Sequence, residues 1–84
     1  MGITVYYYVY ILESTSFPDK NYIGYTTDLK NRLSKHNEGG SPYTSKYKPW
    51  RIRIAISFRS KEKALAFEKY LKSHSGKAFI SKHF

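Results

Sequence analysis

The chain has 84 residues, no cysteine, 18% aromatic side chains and a formal net charge of +9 from fifteen Lys and Arg against six acids. That length holds one domain, and the missing thiols exclude a disulfide framework or a thiolate zinc site. The charge is the electrostatic footprint of a nucleic-acid binder, whereas no apolar run suits a bilayer span or a signal peptide, so a soluble, cytoplasmic protein with no membrane partner is expected.

Residues 4–13 are β-branched and aromatic throughout and predict a first strand. Alternation puts Val5, Tyr7, Val9 and Ile11 on one face and Tyr6, Tyr8, Tyr10 and Leu12 on the other. Neither face is polar, so both are expected to be covered. Pro18-Asp19 marks a turn, and Tyr22–Tyr25 resumes as a short second strand, most simply antiparallel to the first. The sixteen residues from Tyr22 to Asn37 organise the chain: a strand, a turn at a glycine, a cap at Thr26-Thr27-Asp28, and a helix over about 28–38. Leu29 and Leu33 face the core of that helix. Arg32 and His36, four residues apart, project together at the boundary between core and solvent, an arrangement suited to meeting a phosphate.

Residues 38–49 read as a loop carrying Tyr43, Lys46, Tyr47 and Lys48. Interleaved basic and aromatic residues suit backbone contacts and base stacking, and equally a solvated surface loop. With Lys35, the side chains Tyr43, Lys46 and Lys48 are the candidate nucleic-acid contacts. Trp50 to Phe58 alternates cleanly as a third strand, with Trp50, Ile52, Ile54, Ile56 and Phe58 on one face. Ser60 caps a helix over 61–74 whose buried stripe is Ala64, Phe67 and Leu71, and a short terminal helix over 76–83 follows a break at Gly76. The order β-β-α-β-α-α predicts an α+β fold, a small three-stranded antiparallel sheet flanked by helices.

Five of the six acids have local explanations. Asp28 and Glu62 lie in first turns of helices, Asp19 in a turn, Glu38 at a helix end, and Glu13 closes the first strand at the sheet edge. Glu68 falls within the core-facing stripe, where a carboxylate is costly unless satisfied. It is either half of a partly buried ion pair with a basic neighbour or a metal ligand.

Tyr8-Val9-Tyr10, then eleven residues, then Tyr22-Ile23-Gly24, followed by Arg32, His36 and Glu68, resembles the GIY-YIG nuclease superfamily. That group includes homing endonucleases, some restriction enzymes and the N-terminal nuclease domain of the ABC excinuclease. The resemblance spans essentially the whole chain and is closest to small stand-alone bacterial members, in which Pro49-Trp50 and Gly76-Lys77-Ala78-Phe79 are also familiar. It implies a catalytic set of Tyr10 and Tyr22 as the motif tyrosines, Arg32 as the helix arginine, His36, and Glu68 as the carboxylate binding one divalent ion, Mg²⁺ or Mn²⁺. The implied function is metal-dependent endonucleolytic hydrolysis of DNA, with RNA left open, of low intrinsic sequence specificity, in DNA repair or recombination. A partner protein, self-association or a DNA structure would supply specificity. Whether Tyr10, Tyr22 or His36 is the general base stays open. The chain departs from the pattern in three places: Tyr8 replaces the first glycine, Tyr25 stands where the excinuclease domain has lysine, and residues 75–79 lack an asparagine. The competing reading is a weak or inactive nucleic-acid-binding module of the same fold.

Overall fold

A computed structural model describes residues 4–84. Strands β1 (Tyr7–Ser14), β2 (Asn21–Thr26) and β3 (Trp50–Phe58) form one antiparallel sheet in the order β2-β1-β3, with helices α1 (Leu29–Asn37), α2 (Pro42–Lys46), α3 (Lys61–Leu71) and α4 (His74–His83). The α+β architecture matches expectation. β1 starts at Tyr7 rather than Thr4 because its ladder partners run out there: Tyr7 pairs with Phe58, the last residue of β3, and Tyr8 with Thr26, the last of β2.

Central placement buries β1 on both faces. Val9 and Ile11 join Ala64 and Leu71 in one cluster beneath α3 and α4, while Tyr10, Leu12 and Trp50 form a second with Leu29 and Leu33 of α1. Glu13 is therefore not at a sheet edge. It sits in the middle strand, where Arg51 of β3 pairs with it across the ladder at 2.7 Å. β3 does not keep one face either. Ile54 pairs with Ile11 but Ile52 with Leu12, so Arg53 is an extra residue and the strand bulges. Ile54 and Phe58 stay with the α3 layer, whereas Trp50 is turned to the Tyr10 layer, correcting the single-face reading.

The α1 cap is Asp28, whose carboxylate accepts from the Asn31 N–H at 3.1 Å. The expected loop contains a short helix, α2, begun by Ser41 with Pro42 behind it and closed by a reciprocal Ser41–Thr44 capping box. Thr44 is fully buried, and its carbonyl accepts from the Trp50 indole at 2.8 Å. α3 ends three residues short of expectation because Ser73 caps α4, accepting from the Gly76 N–H at 3.1 Å. Gly76 is no break. It lies inside the first turn of α4, where a Cβ would overlap the Tyr70 carbonyl, so glycine lets the two helices touch backbone to backbone.

Candidate active site

Gly24 is not a turn residue. It lies within β2 directly opposite Tyr10, and a Cβ at that position would overlap the Tyr10 hydroxyl and ring carbons. The tyrosine ring thus crosses the ladder over a residue that has no side chain. This lays its hydroxyl against α1, where it hydrogen-bonds His36 Nε2 at 3.0 Å. His36 is buried, 5% exposed, rather than at the solvent boundary. Tyr22, two residues before Gly24 on the same face of β2, packs its ring 4.6 Å from the imidazole and 6.4 Å from Tyr10. Three side chains from three elements therefore form one buried-to-exposed cluster.

Burial holds the Tyr10 phenol well above the ordinary tyrosine range; neighbouring Tyr22 adds to this, and the Arg32 guanidinium only partly offsets it. The Glu68 carboxylate also acts on that phenol and raises it further. Burial and then Arg32 push His36 below its usual value, so the imidazole is neutral at neutral pH. Among the described residues His36 Nδ1 is buried without a hydrogen-bond partner. Arg32 and Glu68 thus lie within electrostatic reach of the tyrosine–histidine pair. Arg32 is exposed and makes no ion pair among the described residues.

Glu68 Oε2 meets the Lys72 ammonium at 3.3 Å, one helical turn on. The ion-pair reading is thus present in the fold, but Lys72 is half exposed, and such pairs are worth about 0–1 kcal/mol. The pair does not by itself explain a carboxylate that is only 20% exposed. No cluster of three or more His, Cys, Asp or Glu gathers among the described residues. A lone carboxylate fits a hard cation that keeps most of its water and takes its other ligands from phosphate, as Mg²⁺ does.

The remaining candidates divide. Tyr43 on α2 is 41% exposed, lies 6.3 Å from Tyr22 and 5.9 Å from Trp50, and donates its hydroxyl to the Asn21 carbonyl at 3.0 Å. It joins the Tyr10–Tyr22–His36 cluster to the α2 segment. Lys46 lies 5.4 Å above the Tyr47 ring, and Lys35 and Lys48 are exposed with no ion pair among the described residues. Two contributors escape sequence reasoning. Gly24 carries a signal, being the glycine of the second motif. Asn37, whose carboxamide grips both backbone groups of Trp50, carries none beyond its place at the end of α1.

The GIY-YIG catalytic domain family matches residues 6–82. The chain belongs to that family. A UPF0213 protein of Streptococcus pneumoniae serotype 4 is 44% identical over 66 residues, 77% of this chain and 65% of that protein. The chain thus spans about two thirds of the pneumococcal relative's length. A UPF0213 protein of Streptococcus agalactiae serotype V is 36% identical over 80 residues, 90% of this chain and 89% of its own. The structure-specific endonuclease subunit SLX1 homolog of Giardia intestinalis is 38% identical over 65 residues, 73% of this chain but 18% of that protein. The solution structure of a UPF0213 protein from Bacillus halodurans is similar, with a TM-score of 0.55, 38% identity and coverage of 92% of this chain and 83% of that one.

Within this GIY-YIG fold the departures from the motif have places. Tyr25 points into the α3 layer, stacked on Tyr7 at 6.4 Å, so it stands on the far face of the sheet from Tyr22. Tyr8 shares the face of Tyr10, with its ring 6.5 Å from Tyr6.

Proposed function

We propose that the chain is a single catalytic domain, a divalent-metal-dependent endonuclease that hydrolyses phosphodiester bonds of DNA in the cytoplasm, in repair or recombination, with low intrinsic sequence specificity. The observation that carries this reading is the Tyr10–His36 hydrogen bond packed against Tyr22, with Arg32 and Glu68 acting on it. The SLX1 relatives, named structure-specific endonuclease subunits, support the reaction class.

Each residue has a task in that chemistry. Arg32, exposed and without an ion pair among the described residues, binds the non-bridging oxygens of the scissile phosphate through its forked donors and stabilises the charge that develops there. Tyr22 borders an open cleft, whereas Tyr10 is 2% exposed. Tyr22 is therefore the tyrosine whose hydroxyl meets and orients the attacking water, and Tyr10 is a positioning residue. With its raised pKa, Tyr10 stays protonated and holds His36, while the neutral imidazole ring supports Tyr22 from behind. Glu68 is the residue that would hold the Mg²⁺ or Mn²⁺, and the ion would supply charge neutralisation at the leaving 3′ oxygen. Lys35, Tyr43, Lys46 and Lys48 line up the flanking nucleic acid. Specificity would come from a partner protein, from self-association or from the shape of the substrate.

The test is nicking of supercoiled plasmid with Mg²⁺, Mn²⁺ or neither, wild type beside Glu68→Ala. Metal-dependent nicking that disappears in a folded Glu68→Ala protein supports the reading. Equal nicking by both proteins, or none by the wild type, would move the assignment to a binding module of the same fold.

A further inference from the structure

A cleft of about 750 Å³ opens from Tyr22 between the β1–β2 hairpin and α4. Tyr22 stands at the end where the cleft meets the tyrosine–histidine cluster, and away from that end its lining is basic. Lys20, Arg53, Lys72 and Lys77 all border it; Asp19 meets Lys20 at 3.7 Å and Glu68 meets Lys72 at 3.3 Å, so Arg53 and Lys77 are the cations without a carboxylate side-chain partner among the described residues. The bulge in β3 is what brings Arg53 here: as the extra residue it leaves the ladder, and its guanidinium donates to the Phe84 carbonyl at 2.8 Å beside α4. Lys77 makes no ion pair among the described residues. Apolar side chains line it as well, Ile11 of β1, Ile23 of β2 and Ile80 of α4, and Tyr43 adds an aromatic ring 6.3 Å from that of Tyr22.

Resting on the nuclease reading, we infer that this cleft binds an unpaired DNA strand running to or from the scissile phosphate, and that the substrate is DNA with a single-stranded segment beside the cut. The size of the cleft suits one strand. The cleft falls within the roughly 300–1,000 Å³ of sites that enclose one small molecule. It therefore takes a nucleotide or two rather than the cross-section of a duplex. Cations mixed with apolar and aromatic side chains suit phosphates and the faces of unstacked bases, the mode by which proteins hold single strands. Continuity with Tyr22 gives the strand its direction: nucleotides in the cleft are those adjoining the bond that is cut.

The experiment measures binding by fluorescence anisotropy in EDTA, so that no cleavage is needed, using a short duplex, the same duplex with a single-stranded tail, and the single strand. Lys77 is exposed on α4, and its replacement leaves the core untouched. Lys77→Glu is expected to weaken the tailed and single-stranded probes by about tenfold and the blunt duplex by less than about twofold. Lys77→Ala should lower the salt slope for the single strand by about 0.7, the loss of one phosphate contact. Equal weakening of all three probes, or no weakening of the tailed one, would overturn the inference. If that happened while the wild type still nicked plasmid, the nuclease reading would stand alone. A wild type that binds no DNA at all would sink both.

Discussion

At Gly24 the absence of one methyl group decides where Tyr10 lies. A Cβ there would meet the Tyr10 hydroxyl and ring, and neither the strand backbone nor a buried tyrosine has room to yield. Gly24→Ala is expected to cost about 1–3 kcal/mol in urea unfolding, the usual range for overpacking, and to slow nicking at least tenfold by displacing Tyr10 from His36. Full activity in a destabilised Gly24→Ala protein would show that the Tyr10–His36 contact is dispensable. His36 makes a pH prediction. Its folded pKa lies below the ordinary 6.5, so between that depressed value and about 6.5 the unfolded chain binds a proton that the folded chain refuses. Stability from this site is complete above about pH 6.5 and is lost as the pH falls toward the folded value. Thermal melts from neutral pH downward should show the decline, and His36→Gln should flatten it over the first unit below 6.5.

Among the elements, α1 matters most, because it carries Arg32 and His36, and Asn37 ties its far end to β3 beside the His36–Tyr10 contact. The Asn37 carboxamide donates from Nδ2 to the Trp50 carbonyl at 3.1 Å and accepts the Trp50 N–H on Oδ1. Losing two hydrogen bonds at about 1 kcal/mol each, Asn37→Ala should lower stability by about 2 kcal/mol in denaturant titrations. Because only the His36–Tyr10 hydrogen bond then holds that end of the helix, the nicking rate should fall more than that loss alone explains at a temperature where the variant remains folded. A variant as active as the wild type would mean that Leu29 and Leu33 position α1 without the clamp. The bulge in β3 is the other element-scale device. One extra residue sends Trp50 to the active-site layer and Arg53 to the cleft, so the same strand serves both faces of the sheet.

Over the whole molecule, fifteen basic residues are distributed so that few are neutralised, with three side-chain ion pairs among the described residues. If Arg32, Lys35, Lys46 and Lys48 each neutralise one phosphate, log affinity for duplex DNA should fall with log salt at a slope of about −3.6, at 0.9 per contact. The measurement is a binding isotherm at several salt concentrations in EDTA. A flat response would remove nucleic acid as the partner of this surface.

Local chemistry by itself determined the elements. The two apolar faces of β1, the Ser60 cap and the alternation of β3 each act within a few residues, and the strands and helices form close to where those signals stand. The capping signal of α2, Ser41 followed by Pro42, is also local, but the segment is so short and polar that it reads equally as loop. The composition of the candidate site was legible too, through the two tyrosine motifs, the i to i+4 spacing of Arg32 and His36, and the lone acid in the α3 stripe. Only the tertiary structure decided how these residues meet. Tyr10 and His36 are 26 residues apart, Asn37 and Trp50 13 apart, and Tyr10 reaches its partner because a facing strand places a glycine beneath it. Alternation along β3 could not reveal that Trp50 changes face, since a bulge is a property of the ladder with β1 and not of the strand alone. Nor could it reveal the basic cleft, whose walls come from a hairpin, a bulged strand and two helices that only packing brings together.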